Sequence, residues 1–388
     1  MKKIAIVTRK MITGGIEKAL ISMLEIMLKD KFDITLFVMA RGGEFEEYIP
    51  KQVKIKCLYG EEKSIKEKII GKLKRADIIG AIKIPLYTAL AIKAKKGYEQ
   101  ERYLSKILPK QTEKFDLAIA YHTPASFPVI YVSEHLNAKK KVAWIHSDVE
   151  VYKNELENYI DYYEKFEKIY CVSKYGKDKF DNQYHKMKNK TDVIYNIINN
   201  EQIYNLADEY KAFEDNFDGI RILTVGRLTK QKGTDIIPKI IYTILENRFN
   251  IRWYVVGDGE ERENIINEIK VLGLEERLIL VGTKNNPYPY FKECDIYVQP
   301  SRHEGYCLTL AEAKRFNKPI VTTDFVGAVE QIKNNETGLI VRFDEREIEE
   351  SIIKIIEDDE LRDKFILNLN KYRDINNLEM EKLYTLME

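Results

Sequence analysis

The stretch DIYVQPSRHEGYCLTLAEAK, residues 295–314, lays out one complete structural unit. Its first six residues, 295–300, form a short apolar, β-branched run that reads as a buried strand. SRHEG (301–305) is a polar exit from that strand, and the remainder has the composition of a helix. Two glutamates punctuate the unit. Glu304 follows the strand and Glu312 lies within the helix, with seven residues between them.

Outward from this unit the rhythm repeats. RILTVG (221–226), RWYVVG (252–257), RLILVG (277–282) and PIVTT (319–323) are further apolar runs separated by helical stretches. The first half carries IAIVT (4–8), DITLFVM (33–39), VKIKCL (53–58), FDLAIAY (115–121), KVAWIH (141–146), KIYCVS (168–173) and TDVIYN (191–196). A helix is expected from about Gly15 to Lys29, and a long basic helical region over roughly 64–108. Near-continuously apolar strands alternating with helices indicate parallel sheets covered on both faces. The two series predict an α/β protein with two Rossmann-like, doubly wound domains, 1–196 and 197–370, facing across a crevice. The polar passage 196–218 is the expected linker.

Composition agrees with two globular domains: 388 residues, 44% hydrophobic and 32% charged. A net charge of +1 gives no argument for nucleic acid as a partner. Cys57, Cys171, Cys294 and Cys307 lack metal or disulfide spacing, which fits a reducing cytoplasm. MKKIAIVTRK leads straight into a strand, without the apolar core of a signal peptide. The apolar stretch 78–92 is short for a membrane span and holds Lys83 and Pro85. The expectation is a cytoplasmic protein, soluble or at the membrane surface.

Open α/β sheets bind ligands at the carboxyl ends of their strands. The polar stretches there are GRLTKQKG (226–233), GDGEERE (257–263), GTKNN (282–286), SRHEG and TDFVGAVE (323–330). Arg227 and Lys232 precede a helix expected near Thr234 and suit a diphosphate. A solvated basic loop is the plain alternative. GDGEERE lacks G-x-G-x-x-G, and its acidic run would repel phosphate, so a turn before an acidic helix start is expected. For Glu312, a capping box with Thr309 is the structural alternative to a ligand role. Glu304 precedes Gly305, and a helix start at Tyr306, Cys307 and Leu308 would offer backbone amides to an anion.

These motifs resemble, in order and spacing over about 221–343, the C-terminal domain of retaining GT-B glycosyltransferases of family 4, including the E-x7-E pair Glu304 and Glu312. The first half is looser. GGIEKAL (14–20) looks like that family's Gly-Gly loop, and AYHTP (120–124) and WIHSD (144–148) resemble its two histidine-bearing strand ends. Residues 40–115 match nothing nameable.

The resemblance implies a nucleotide-sugar donor, with Arg227 and Lys232 on its diphosphate. A unit charge about 4 Å from the growing negative charge is worth at most roughly 4 kcal/mol at an effective dielectric of about 20. Glu304 would face the donor sugar, Glu312 the ribose, and Thr283 and Lys284 the base. Gly305, Tyr306, Cys307 and Leu308 would line the same donor. Gly14 and Gly15 would admit the donor phosphate or the acceptor. His122, ahead of Pro124 as a potential helix opener, would contact the sugar or the reacting centre. His146, with Asp148 two residues on, would orient the acceptor. The implied reaction is retaining transfer, by front-side attack, from a nucleotide-diphosphate sugar, in first place a UDP-sugar. The acceptor would be a glycan, a lipid-linked saccharide or another hydroxyl in cell-surface polysaccharide or glycoconjugate synthesis. Residues 371–388 would cross back onto the first domain as a helix.

No D-x-D occurs and the five histidines are dispersed, so neither a metal nor a cofactor is expected. Residues 61–110 hold 13 Lys/Arg and 6 Asp/Glu, 13 − 6 = +7, and Ile65, Ile69 and Leu73 form an apolar stripe. A surface helix packed by one face ranks first, and peripheral contact with an anionic membrane second. A dinucleotide oxidoreductase is excluded because VTRKMITGG lacks the glycine fingerprint. A GT-B sugar-nucleotide epimerase would not call for these linked motifs. A non-catalytic or partner-activated sugar-nucleotide-binding subunit could keep them all.

Overall fold

The computed structural model describes residues 1–30, 32–59, 64–74, 76–94, 97–108, 110–371 and 376–388. Positions 61–63, 75, 95, 96 and 109 of the basic stretch and 372–375 near the C-terminus lie outside the described residues, as does the Ile65 side chain. The chain divides into two compact units, Met1–Ile197 with Leu378–Glu388, and Ile198–Asn377.

The first unit is built on seven parallel strands: β1 (Lys3–Thr8), β2 (Asp33–Val38), β3 (Lys54–Cys57), β4 (Lys114–His122), β5 (Asn137–Ile145), β6 (Lys168–Cys171) and β7 (Thr191–Val193), in the order β3-β2-β1-β4-β5-β6-β7. The second has six: β8 (Ile220–Val225), β9 (Ile251–Val256), β10 (Leu278–Gly282), β11 (Ile296–Gln299), β12 (Ile320–Thr323) and β13 (Leu339–Val341), in the order β10-β9-β8-β11-β12-β13. Both sheets are Rossmann-like and all parallel. β1, β2, β8, β9, β11 and β12 are buried for most of their length because apolar residues occupy both faces, each covered by helices, while the edge strand β10 is half-buried beyond Leu278.

Strand order reverses between β1 and β4 and again between β8 and β11. Loops leaving adjacent strands diverge at such a point and open a ligand-sized gap. The loop after β8 holds Arg227 and Lys232, and the one after β11 holds Glu304. The loop after β1 holds Gly14, and β4 ends on His122.

Several boundaries differ from the sequence-based expectation. The passage 199–218 is not a bare linker. It carries the helix Asn200–Ala207 and buries Phe213 in the core of the second unit. β13 is a three-residue edge strand, too short to give an apolar signal of its own. The basic region is three helices, Ile65–Lys74, Ile78–Lys93 and Tyr98–Lys106. The second is opened by Asp77, whose carboxylate accepts the Gly80 amide at 2.8 Å.

The helix Asn376–Met387 packs in the first unit. Glu379 accepts the Tyr195 amide at 3.0 Å, Lys382 donates to the Val193 carbonyl at 2.8 Å, and the Tyr384 hydroxyl donates to Asp30. Leu383 and Met380 supply its buried side.

Candidate active site

In the second unit the loop after β8 descends through two short 3-10 turns, Lys230–Lys232 and Thr234–Ile236, and the α-helix begins only at Ile237, three residues later than expected from sequence. Gly233 explains the delay. Its φ of +68° is left-handed, and a Cβ there would stand 1.7 Å from the Pro300 carbonyl oxygen. Only glycine lets this loop lie against the end of β11.

The loop is fixed from a second side by GDGEERE. A Cβ on Gly257 would meet the Gly226 oxygen at 1.9 Å, and one on Gly259 the Leu228 oxygen at 2.4 Å. The Leu228 amide donates to Asp258 O, and the Glu261 amide to Leu228 O, both at 3.0 Å. Its glycines thus seat the 226–233 backbone, a role that sequence reading missed because the acidic side chains drew attention from the backbone. Arg302 closes the third side with a two-pronged ion pair to Asp235 at 2.6 and 2.8 Å.

Within this frame Lys232 Nζ lies 2.7 Å from Glu304 Oε1. Burial pulls the Lys232 ammonium down; Cys307 and then Glu304 raise it, and the net shift is upward. Cys307 is itself neutral, because burial pushes its thiol up to about 12, which leaves Glu304 as the anion the ammonium meets. Glu304 is 8% exposed, and Ser301 Oγ donates to the same Oε1 at 2.8 Å. Arg227 is exposed in the same loop. Gly305 and Tyr306 are half-buried between Glu304 and the helix.

The helix Leu308–Arg315 starts at Leu308 with Cys307 before it, and no side chain caps it. The capping-box reading of Thr309 and Glu312 is therefore wrong. Thr309 is already inside the helix, and its hydroxyl donates to Gln299 Oε1 at 3.1 Å. Glu312 is buried and accepts from the Tyr288 hydroxyl at 3.1 Å. Thr283 and Lys284 are exposed just past β10, the edge strand of this sheet.

In the first unit Gly14 precedes the helix Gly15–Lys29 in extended conformation, and a Cβ on it would lie 2.5 Å from Glu17 Oε2. Gly15 faces open space. Glu17, which the sequence did not single out, is buried, and burial pushes its carboxyl up to about 7 against an offset from its own amide. His122 pairs in register with Ile145, so His122 and His146 end neighbouring strands. His122 Nδ1 is 3.1 Å from Thr123 Oγ1. Burial first, then Arg9, pushes His122 down to about 3; burial, then His122, does the same to His146. The His146 ring lies 4.2 Å from that of Tyr121, and its Nε2 is buried with no hydrogen-bond partner among the described residues. Asp148 accepts the Glu150 amide at 2.9 Å. Pro124 opens no helix: the helix Phe127–His135 follows Ser126 and takes Pro128 in its first turn.

Residues 208–372 match the family model described as glycosyl transferases group 1. An uncharacterized glycosyltransferase of Methanocaldococcus jannaschii, MJ1178, is 30% identical over 264 residues, covering 65% of this chain and 68% of that one. The N-acetylgalactosamine-N,N'-diacetylbacillosaminyl-diphospho-undecaprenol 4-alpha-N-acetylgalactosaminyltransferase of Campylobacter jejuni is 34% identical over 175 residues, 45% of this chain and 46% of that one. A structure of S. aureus TarM with fondaparinux, alpha-GlcNAc-glycerol and UDP superposes with a TM-score of 0.73 at 14% identity, covering 100% of both chains, which makes the fold GT-B. The chain belongs to the glycosyl transferases group 1, and it is a glycosyltransferase.

Proposed function

We propose that this enzyme takes a sugar from a nucleotide-diphosphate sugar, a UDP-sugar, and passes it with retention to a glycan, a lipid-linked saccharide or another hydroxyl acceptor, as a family 4 member. The single observation that carries the reading is the Lys232–Glu304 pair at the β8/β11 switch point. It sets a half-buried cation beside a buried carboxylate where a nucleotide sugar presents a diphosphate next to a ring of hydroxyls. The UDP in TarM and the diphospho-undecaprenol acceptor of the Campylobacter enzyme support the two substrate classes.

Arg227 and Lys232 take the diphosphate, with the amides at Gly305, Tyr306, Cys307 and Leu308. Glu304 accepts from the sugar hydroxyls, Glu312 from the ribose, and Thr283 and Lys284 meet the base. As the C1–O bond breaks, its electrons go to the diphosphate, where two cations stabilise them more than they stabilise the ground state. The acceptor oxygen bonds C1 on the face being vacated, and its proton goes to the leaving phosphate oxygen. Gly14, Gly15, His122 and His146 serve the acceptor and the reacting centre. Residues 1–196 act as acceptor domain, 197–370 as donor domain, and 371–388 return to the first. With two cations in one loop, a divalent ion is unnecessary.

The basic region supports peripheral membrane contact at the cytoplasmic face. On Ile78–Lys93, Ile78, Ile79 and Ile82 are 62–68% exposed beside Lys83, while Ala81, Ile84 and Ala91 hold the other face to the domain. Among the described residues no helix is long and apolar enough to cross a membrane. Thermal shift with UDP-glucose, UDP-galactose, UDP-N-acetylglucosamine and UDP-N-acetylgalactosamine, followed by donor hydrolysis and NMR assignment of the product anomer, tests this reading. No shift and no turnover with any of them would sink it.

A further inference from the structure

Glu304 is held by a buried chain of side chains that neither the motifs nor the relatives assign. Tyr297 and Gln299 lie on β11 and Ser301 just beyond it; all three are at most 1% exposed. Residues two apart on a strand share a face, so this file points one way along the sheet toward Glu304.

The direction of each bond follows from donor and acceptor chemistry. Gln299 Oε1 accepts from the Tyr297 hydroxyl at 2.6 Å and from the Thr309 hydroxyl at 3.1 Å. With its oxygen held by two hydroxyls, the amide presents Nε2 to Ser301 Oγ at 2.9 Å. A serine that accepts there gives its single hydrogen to Glu304 Oε1 at 2.8 Å. The Lys232 ammonium reaches that oxygen as well. Oε1 is thus doubly held, and Oε2 is the atom left for a substrate hydroxyl.

The Ser301 backbone is fixed too, since its carbonyl accepts from the Thr323 hydroxyl on the next strand. A buried, fully directed chain of this kind removes rotamer freedom from the carboxylate at its end.

We propose that Ser301, Gln299 and Tyr297 are positioning residues for the transfer reaction, acting through Glu304 by presenting its Oε2 to the donor sugar. This rests on the proposed function. It adds residues that bear on turnover without touching substrate.

The test is a double-mutant cycle between Ser301→Ala and Glu304→Gln, with Tyr297→Phe as a milder second probe deeper in the chain. The donor is whichever of the four UDP-sugars the wild type turns over fastest, and the reference ligand is UDP alone. Ser301→Ala is expected to lower kcat about tenfold, the scale of one hydrogen bond to a charged group, and Tyr297→Phe a few-fold. UDP affinity should stay unchanged in both, because UDP lacks the sugar that Oε2 meets. In the Glu304→Gln background the effect of Ser301→Ala should shrink to near onefold, and Ser301→Thr, which keeps the hydroxyl, should restore most of kcat. An equal loss in both backgrounds, weakened UDP binding, or wild-type kcat in both Ser301→Ala and Tyr297→Phe overturns the positioning role while leaving the function standing. A wild type that binds no UDP and turns over no donor overturns both.

Discussion

Lys232 Nζ and Glu304 Oε1 stand 2.7 Å apart, so a cation and a carboxylate proposed for adjoining parts of one donor satisfy each other. A diphosphate at this site competes with Glu304 for the ammonium. Removing Lys232 therefore has two effects, loss of a charge stabiliser and exposure of a buried carboxylate without its partner.

That duality separates the two donor cations. Lys232→Ala should lower turnover about 10²–10³-fold and also lower Tm. Arg227→Ala should lower turnover on the same scale with Tm essentially unchanged, because Arg227 is exposed and substitutions at such sites stay within about 0.5 kcal/mol. Steady-state kinetics and calorimetric melting on both variants check this. Near-wild-type rates in both at saturating donor would remove the diphosphate assignment.

The two glutamates should differ in kind. Glu304 is proposed to face the sugar, where positive charge develops, so Glu304→Gln should mainly reduce kcat. Glu312 is proposed to hold the ribose alike in ground and transition states, so Glu312→Gln should mainly raise donor KM. The Tyr288 hydroxyl can donate to the glutamine oxygen as it does to Glu312, and the Ser301 hydroxyl can do the same at position 304, so both variants should fold. Two variants indistinguishable from wild type would leave the E-x7-E spacing without a functional meaning.

Much of this was legible in the sequence, for identifiable reasons. The apolar runs at 221–226, 252–257, 277–282 and 295–300 mark strands because a parallel sheet buries both faces. That Arg227, Lys232 and Glu304 fall in the loops after β8 and β11 could be read from the sequence, because those loops directly follow apolar runs. What escaped was set by backbone contacts and distant partners. The N-terminal half of β5, NAKKK, runs three consecutive lysines along a half-exposed strand, which hides its character. The glycines of GDGE act by close approach to Gly226 and Leu228, a relation between loops more than 25 residues apart. Thr309 and Glu312 fit a capping box by spacing, and only the helix start at Leu308 shows that they do not form one.

Turnover should survive excess EDTA. Lys232 stands beside Glu304 with Arg227 in the same loop, and these cations are proposed to neutralise the diphosphate in place of a divalent ion. Transfer or donor hydrolysis is measured with EDTA, then with added magnesium or manganese. Complete loss restored by either metal contradicts the proposal.

The exposed isoleucines make a separate expectation. Ile79→Asp with Ile82→Asp should reduce co-flotation with vesicles of phosphatidylcholine and phosphatidylglycerol, and high salt should do the same to the wild type. Turnover on a soluble acceptor should not change, because neither residue belongs to the site. Equal flotation of wild type and variant leaves the helix as an ordinary surface element.

The histidines give a pH prediction of definite sign. His122 and His146 are both held down to about 3, first by burial, so both are neutral in the fold throughout the physiological range. An unfolded histidine titrates near 6.5. The unfolded chain therefore binds more protons in the window between about 6.5 and 3, and stability falls as pH falls through it. Their contribution is fully present above the unfolded value and is lost progressively on acidification. Glu17 acts in the opposite sense: with its folded value at about 7 it is stabilising when protonated, and its contribution is lost as pH rises from the ordinary carboxylate range to that value. Three variants separate the effects. His122→Asn and His146→Asn should each flatten the fall in Tm between pH 6.5 and 4.5. Glu17→Gln should raise Tm more at pH 8 than at pH 5, because it removes a charge that burial disfavours. NMR titration of the histidine Cε1 protons reads the first claim directly: an inflection near 6.5 for either ring would show that its burial does not hold it neutral.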